Sequence, residues 1–198
     1  YCVFALTYGA LDGPWPVSAV GGLGPIPGSA DEFGRFVDRV LAATDADAVD
    51  VVGHSRGTYV PVHHLKTAGR VERVRTLIAL APLWRGSETD APGTGMRPGG
   101  EVHSVVWRGG SPYAAGVRHV NISTRYDELV VPYTSGQVRG RAGEDVTNVV
   151  VQDNCPQDFS DHLAIAGSRR TALRVLALLE PDPAVRDRRL RTGVPCTF

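Results

Sequence analysis

The chain has 198 residues, 42% of them hydrophobic, with 21 basic and 21 acidic side chains. That length fits one domain, and a domain of this size hides roughly 70% of its unfolded surface. Balanced charge gives no net field to draw the chain to nucleic acid or to an acidic membrane face, and no apolar run reaches the roughly 20 residues needed to cross a bilayer, which leaves a small, largely uncharged partner.

The opening run Tyr1-Cys2-Val3-Phe4-Ala5-Leu6-Thr7-Tyr8 is strand-like from its first residue, with aromatic and β-branched side chains and no lead-in. It is expected to be a buried strand of a chain cut at its front, any signal peptide lying upstream of Tyr1. A Gly/Pro-rich loop runs from Asp12 to Gly28. Ser29 and Glu32, three apart, then read as a capping box for a helix whose Phe33, Phe36, Val37, Val40 and Leu41 form one apolar face. A short apolar run, Val49 to Val52, leads into Gly53-His54-Ser55-Arg56-Gly57, and a helix is expected from about Thr58 to Thr67. Val74 to Ala81 reads as the next strand. The stretch from Pro82 to Val117, rich in Gly and Pro, is longer than an ordinary connection and reads as a functional loop or lid. Strands at Val117 to Thr124 and Val146 to Val151 follow, then a helix from about His162 to Leu179 and an Arg-rich tail ending at Phe198. Strand-like runs alternating with helical patterns predict a single α/β domain over 1–198, with a mostly parallel sheet and crossover helices.

Gly53-His54-Ser55-Arg56-Gly57 matches G-x-S-x-G between a buried strand and a helix, the setting in which a sharp turn lifts a serine hydroxyl above a sheet. Side chains on either side of such a turn would clash, hence the glycines. The helix start beside it favours a developing oxyanion. A serine hydroxyl needs a base to take its proton and an acid to orient that base, and on this framework the chain order is Ser, acid, His. Among the six histidines, His63 and His64 lie about eight residues down the following helix, roughly 12 Å from Ser55, and read as solvated helix-surface residues. His54 leaves the turn in another direction and reads as core or support. His103 precedes every acid candidate, and His119 heads a strand. His162, after the loop Gln157-Asp158-Phe159-Ser160-Asp161 and beside a helix start, is the candidate base. Asp127, directly after the strand Val120-Asn121-Ile122-Ser123, is the candidate acid, and Glu128 is its close rival. Asp153, Asp158 and Asp161 read as caps or braces of the base loop. The histidines are scattered without ligand spacing, so no metal and no cofactor is implied.

Three cysteines are compatible with one disulfide and one buried thiol. Cys155 and Cys196 flank the last helix and would tie the His162 loop to the tail, while Cys2 is expected to remain a thiol inside its strand.

With these residues assembled, the chain resembles the actinobacterial secreted lipases and esterases of the class 2 triacylglycerol lipase family, in the α/β-hydrolase superfamily. The resemblance covers most of the chain. It rests on Tyr1 to Gly9, on Gly53-His54-Ser55-Arg56-Gly57-Thr58, on Tyr126-Asp127-Glu128-Leu129-Val130-Val131-Pro132-Tyr133, and on Cys155-Pro156 followed by Asp161-His162-Leu163-Ala164. It implies the α/β-hydrolase fold with helices on both faces, with nucleophile, acid and base at Ser55, Asp127 and His162 and the backbone N–H of Arg56 as half of an oxyanion hole. Relatives often carry Gln or Glu where Arg56 stands, and because that position acts through its backbone its side chain is expected to matter little to the chemistry. Relatives also begin with a strand ending in His-Gly that supplies the second oxyanion N–H, and this chain is expected to start after it.

The resulting expectation is a secreted carboxylic-ester hydrolase acting on a small ester or lipid. The alternatives from the sequence are an acyltransferase of the same fold, and a non-catalytic relative that keeps the triad residues by descent.

Overall fold

The computed structural model describes residues 1–10, 13–16, 20–88 and 95–196. Those parts of the expected loop from Asp12 to Gly28 and of the expected lid stretch that fall on 12, 17–19 and 89–94, and the end of the tail at 197–198, lie outside the described residues.

Among the described residues four parallel strands form the sheet: β1 (Val49–His54), β2 (Val74–Leu80), β3 (Arg118–Ser123) and β4 (Val146–Val150), ordered β1-β2-β3-β4. Helix α1 (Ile26–Thr44) precedes β1, α2 (Tyr59–Ala68) and α3 (Glu101–Val106) lie in the crossovers from β1 to β2 and from β2 to β3, and α4 (Ala164–Gly167), α5 (Arg169–Leu178) and α6 (Pro183–Thr192) follow β4. Period-2 alternation divides the core. Leu77 and Ala79 of β2 join Phe33, Val37, Tyr59, Val62 and Leu65 from α1 and α2 on one face, whereas Ile78 and Leu80 join Val120, Ile122, Ile165 and Leu178 on the other. Both faces of the sheet are therefore covered by helices. Among the described residues no helix is long and apolar enough to cross a membrane.

Several elements differ from the sequence reading. Tyr1–Tyr8 forms no strand: Tyr1, Val3 and Phe4 are exposed, and Cys2 is an exposed free thiol instead of a buried one. Strand propensity is realised only through a ladder partner and a covered face, and among the described residues β1 pairs with β2 alone. The end of this run is held differently, through Gly22 and Gly24 N–H groups donated to the Tyr8 and Gly9 carbonyls at 2.7 and 2.8 Å.

Helix α1 begins three residues before the expected cap, with Pro27 in its first turn, where a missing N–H costs nothing. The capping-box residues serve other partners: Ser29 Oγ donates to the Pro25 carbonyl at 3.0 Å and Glu32 accepts the Gly9 N–H at 2.9 Å. The expected long final helix is broken at Ser168, whose extended backbone interrupts it and whose Oγ accepts the Thr171 N–H to start α5. The tail contains α6, capped by Asp182 on the Ala184 and Val185 N–H groups.

His63 is buried, not solvated. Helix α2 packs on both α1 and α3, so Tyr59, Val60, Pro61, Val62, His63 and Leu65 are all covered. The covering comes from the stretch expected to be a lid. Its Trp84, Met96, Val102, Val106 and Tyr113 are buried in the core, and Trp84 Nε1 donates to Asn121 Oδ1 at 2.8 Å inside it.

Candidate active site

Because all four strands are parallel, the segments after β1, β3 and β4 leave the same edge of the sheet. Ser55 follows β1 at once, Asp127 lies four residues after β3, and the loop carrying His162 follows β4 and a turn at Val151–Asn154.

Ser55 holds φ +53°, in the left-handed region, at the start of the helical turn Ser55–Thr58 that runs into α2. A non-glycine residue there is strained, as in a turn that presents its side chain. A Cβ on Gly53 would lie 2.6 Å from the Gly57 carbonyl oxygen, so the backbone crosses itself too closely for any side chain. At Gly57 the added carbon would meet the Tyr8 hydroxyl at 3.1 Å, and the constraint there comes from a neighbouring segment.

The three side chains selected from the sequence lie in one hydrogen-bonded line. Ser55 Oγ is 2.8 Å from His162 Nε2, and His162 Nδ1 is 2.9 Å from Asp127 Oδ1. A carboxylate only accepts, so the proton between His162 and Asp127 sits on Nδ1, which leaves Nε2 as the acceptor for the serine hydroxyl. His162 and Asp127 are both buried. Asp127 Oδ1 also accepts the Leu129 and Val130 N–H groups at 3.1 and 2.7 Å, which fixes the carboxylate on its own turn. Chemically, a hydroxyl, an imidazole and a carboxylate in such a line can take a proton from the hydroxyl and return it to a leaving group.

Other residues hold the His162 loop. Thr124 Oγ1 donates to the Ser160 carbonyl at 2.5 Å, and Gln152 Nε2 donates to Thr124 Oγ1 and to the Asp158 carbonyl at 2.9 and 2.8 Å. Asp158 accepts from Ser160 N and Oγ and pairs with buried Arg170 at 3.3 Å. Asp161 caps Leu163 and Ala164, and Asp153 pairs with Arg125 at the surface. The expected bridge is formed between Cys155 and Cys196, Cα atoms 5.3 Å apart, and it ties this loop to the tail.

Sequence reasoning missed two contacts. Glu128 Oε2 accepts the His162 backbone N–H at 3.1 Å, and His54 Nε2 donates to the His162 carbonyl at 2.7 Å. Both residues adjoin members of the line in sequence, which is the one signal that could have pointed to them. His54 is held below its ordinary histidine value, first by burial and also by the nearby His162 ring, with the bond to the His162 carbonyl acting the other way. The remaining histidines lie apart: His103 stacks on Trp107 at 5.7 Å, His64 meets the Phe33 ring edge-on at 5.7 Å, and buried His119 accepts the Ala114 N–H at 3.0 Å. The Arg56 side chain, expected to matter little to the chemistry, donates to the Gly24 carbonyl and so ties the turn at Ser55 to the loop before α1.

No protein-family model matches the chain, and no curated protein sequence does. Solved structures do. Aspergillus fumigatus lipase B superposes with a TM-score of 0.73 at 19% identity, over 89% of this chain and 47% of that one. A gene product of Listeria innocua superposes with a TM-score of 0.57 at 12% identity, over 77% of this chain and 66% of that one. The chain has the α/β-hydrolase fold. It spans about half the length of the Aspergillus lipase. Ser55 stands at the strand-to-helix turn after β1, and Asp127 and His162 follow it along the chain in that order.

Proposed function

We propose that the chain is a serine carboxylic-ester hydrolase acting through an acyl-enzyme on acylglycerols or other short to medium acyl esters. The observation that supports this reading is the unbroken line from Ser55 Oγ through His162 to Asp127, at 2.8 and 2.9 Å. Ser55 Oγ attacks the ester carbonyl while His162 Nε2 takes the hydroxyl proton, and the Asp127 carboxylate steadies the imidazolium that forms. Collapse of the tetrahedral adduct expels the alcohol, which leaves with the proton from Nε2. Water then repeats the sequence on the acyl-enzyme and restores Ser55. The Arg56 N–H, first after the nucleophile at a helix start, donates to the oxyanion. In this reading the protein is secreted, and the Cys155–Cys196 bridge supports that compartment because disulfides persist under oxidising conditions.

The test is covalent labelling with a fluorophosphonate, which reacts quickly only with an activated serine, alongside turnover of nitrophenyl butyrate. Labelling and turnover that both vanish in Ser55→Ala are the expected result. An unlabelled wild-type chain overturns the reading.

A further inference from the structure

His162 has polar partners on all four of its hydrogen-bonding groups. Its ring meets Ser55 and Asp127, and its peptide N–H and C=O meet Glu128 and His54. The pattern is paired along the sequence: His54 precedes the serine and Glu128 follows the aspartate, so each ring partner has a neighbour that grips the backbone of the same histidine. We propose that His54 is a positioning residue for His162, its Nε2–H holding the His162 carbonyl so that Nε2 of the base stays on the Ser55 hydroxyl through both proton transfers.

The geometry carries this beyond packing. The His54 Nε2 contact is 2.7 Å, and the two rings lie 4.8 Å apart, tilted by 47°. A carbonyl only accepts, so His54 Nε2 keeps its proton whichever charge state the ring adopts. His54 ends β1, paired with Leu80 of β2, and therefore stands on the sheet while His162 stands on a loop. A bond from a rigid strand to the carbonyl of a loop residue fixes the point from which the loop's side chain projects. The same strand end also sets Ser55, so nucleophile and base are referred to one piece of backbone. Small errors of registration matter at this point, because a displacement of about 1 Å at a reacting group costs on the order of 100-fold in rate.

This inference rests on the ester-hydrolase reading for its kinetic consequence but not for its structural one. The experiment compares wild type with His54→Phe, which keeps a ring and removes the donor, and His54→Gln, which restores an N–H donor of similar reach. The measurements are kcat and KM on nitrophenyl acetate, the rate of fluorophosphonate labelling, and the downfield proton resonance of the His162 Nδ1–H. Thermal unfolding reports whether each variant is folded. If His54→Phe does not fold, His54→Asn, whose shorter amide does not span to the carbonyl, takes its place. The expected result is a kcat and labelling rate lower by on the order of 10- to 100-fold in His54→Phe, with KM little changed, the downfield resonance broadened by exchange, and most of the loss recovered in His54→Gln. Labelling of His54→Phe at the wild-type rate overturns the proposal, as does a His54→Gln variant that loses as much as His54→Phe. If the wild type is not labelled at all, the hydrolase reading falls on its own, and an unchanged downfield resonance in His54→Phe then overturns the positioning role independently.

Discussion

Glu128 holds His162 by its backbone, Oε2 accepting the peptide N–H at 3.1 Å, while the adjacent Asp127 holds the ring at 2.9 Å. Two neighbouring carboxylates thus divide the work on one histidine. The sequence left them as rivals because a shift of one residue in a turn exchanges which side chain faces the base.

That division predicts a large asymmetry between two conservative variants. Asp127→Asn replaces the carboxylate that keeps the proton on Nδ1, and in a hydroxyl-imidazole-carboxylate line this substitution lowers kcat on the order of 10,000-fold. Glu128→Gln keeps an oxygen that accepts the His162 N–H and is expected to lower kcat by less than about 10-fold. Steady-state kinetics on nitrophenyl butyrate distinguish them, and equal losses would show that the two carboxylates share the ring's proton instead of dividing roles.

The Cys155–Cys196 bridge closes a sequence separation of 41 residues that contains the whole His162 loop. In the chain-entropy model a loop of that length is worth roughly 4 kcal/mol. For a domain of this size such a loss lowers Tm by roughly 10 °C. Cys155 is buried and Cys196 is not, so mild reductant reaches the bridge from the tail side. Thermal unfolding of Cys155→Ser/Cys196→Ser against wild type checks this, and an unchanged Tm would mean that the tail is held by other contacts.

His119 gives stability a pH dependence. Burial pushes it from 6.5 down to about 4, a hydrogen bond with the Ala114 backbone acting the other way. The folded state binds the proton less readily than the unfolded one, so the contribution is fully present above about 6.5, is lost as pH falls from 6.5 towards 4, and levels off below. The loss amounts to about 3 kcal/mol. Burial holds His54, His63, His64 and His103 low as well, and they add in the same direction. Urea unfolding at pH 7 and pH 4.5 in wild type and His119→Gln isolates the term, since the other histidines are common to both. A pH slope that is the same in the two proteins rules His119 out as a source.

What the sequence revealed divides along physical lines. The parallel sheet was legible because β2 and β3 are short β-rich runs between turn signals, and the convergence of Ser55, Asp127 and His162 followed because parallel strands bring their carboxyl ends to one edge. The Tyr1–Tyr8 run misled because propensity does not say whether a partner strand is present. His63 misled because the helical face opposite α1 is covered by α3, a long-range fact with no local signature. Helix α6 was missed because none of its side chains is buried and its apolar pattern is faint; the Asp182-Pro183 cap was the available signal. The roles of His54 and Glu128 were not legible because both contacts are to backbone atoms of a distant loop.

Acyl chain preference is expected to follow from where the apolar side chains between Pro82 and Val117 are found. Trp84, Met96, Val102, Val106 and Tyr113 face the core, and Trp107 Nε1 donates to the Trp84 carbonyl at 2.6 Å, so none of these is free to wrap a substrate. Exposed large apolar residues on the loops of the line include Tyr126, Leu129, Phe159 and Leu163, exposed by 46, 48, 68 and 69%. Side chains this open make a shallow wall. Each methylene of an acyl chain is worth about 0.8 kcal/mol only when it leaves water completely, and a chain lying along an open wall keeps one side wet. The gain per added carbon is therefore expected to stop after the first few. A series of nitrophenyl esters from two to sixteen carbons, compared by kcat/KM, should peak among short to medium chains, with Leu163→Ala and Leu129→Ala lowering the peak more than the two-carbon value. A steady rise to the longest chain would sink this expectation, because it would require a deep acyl channel lined by side chains other than these.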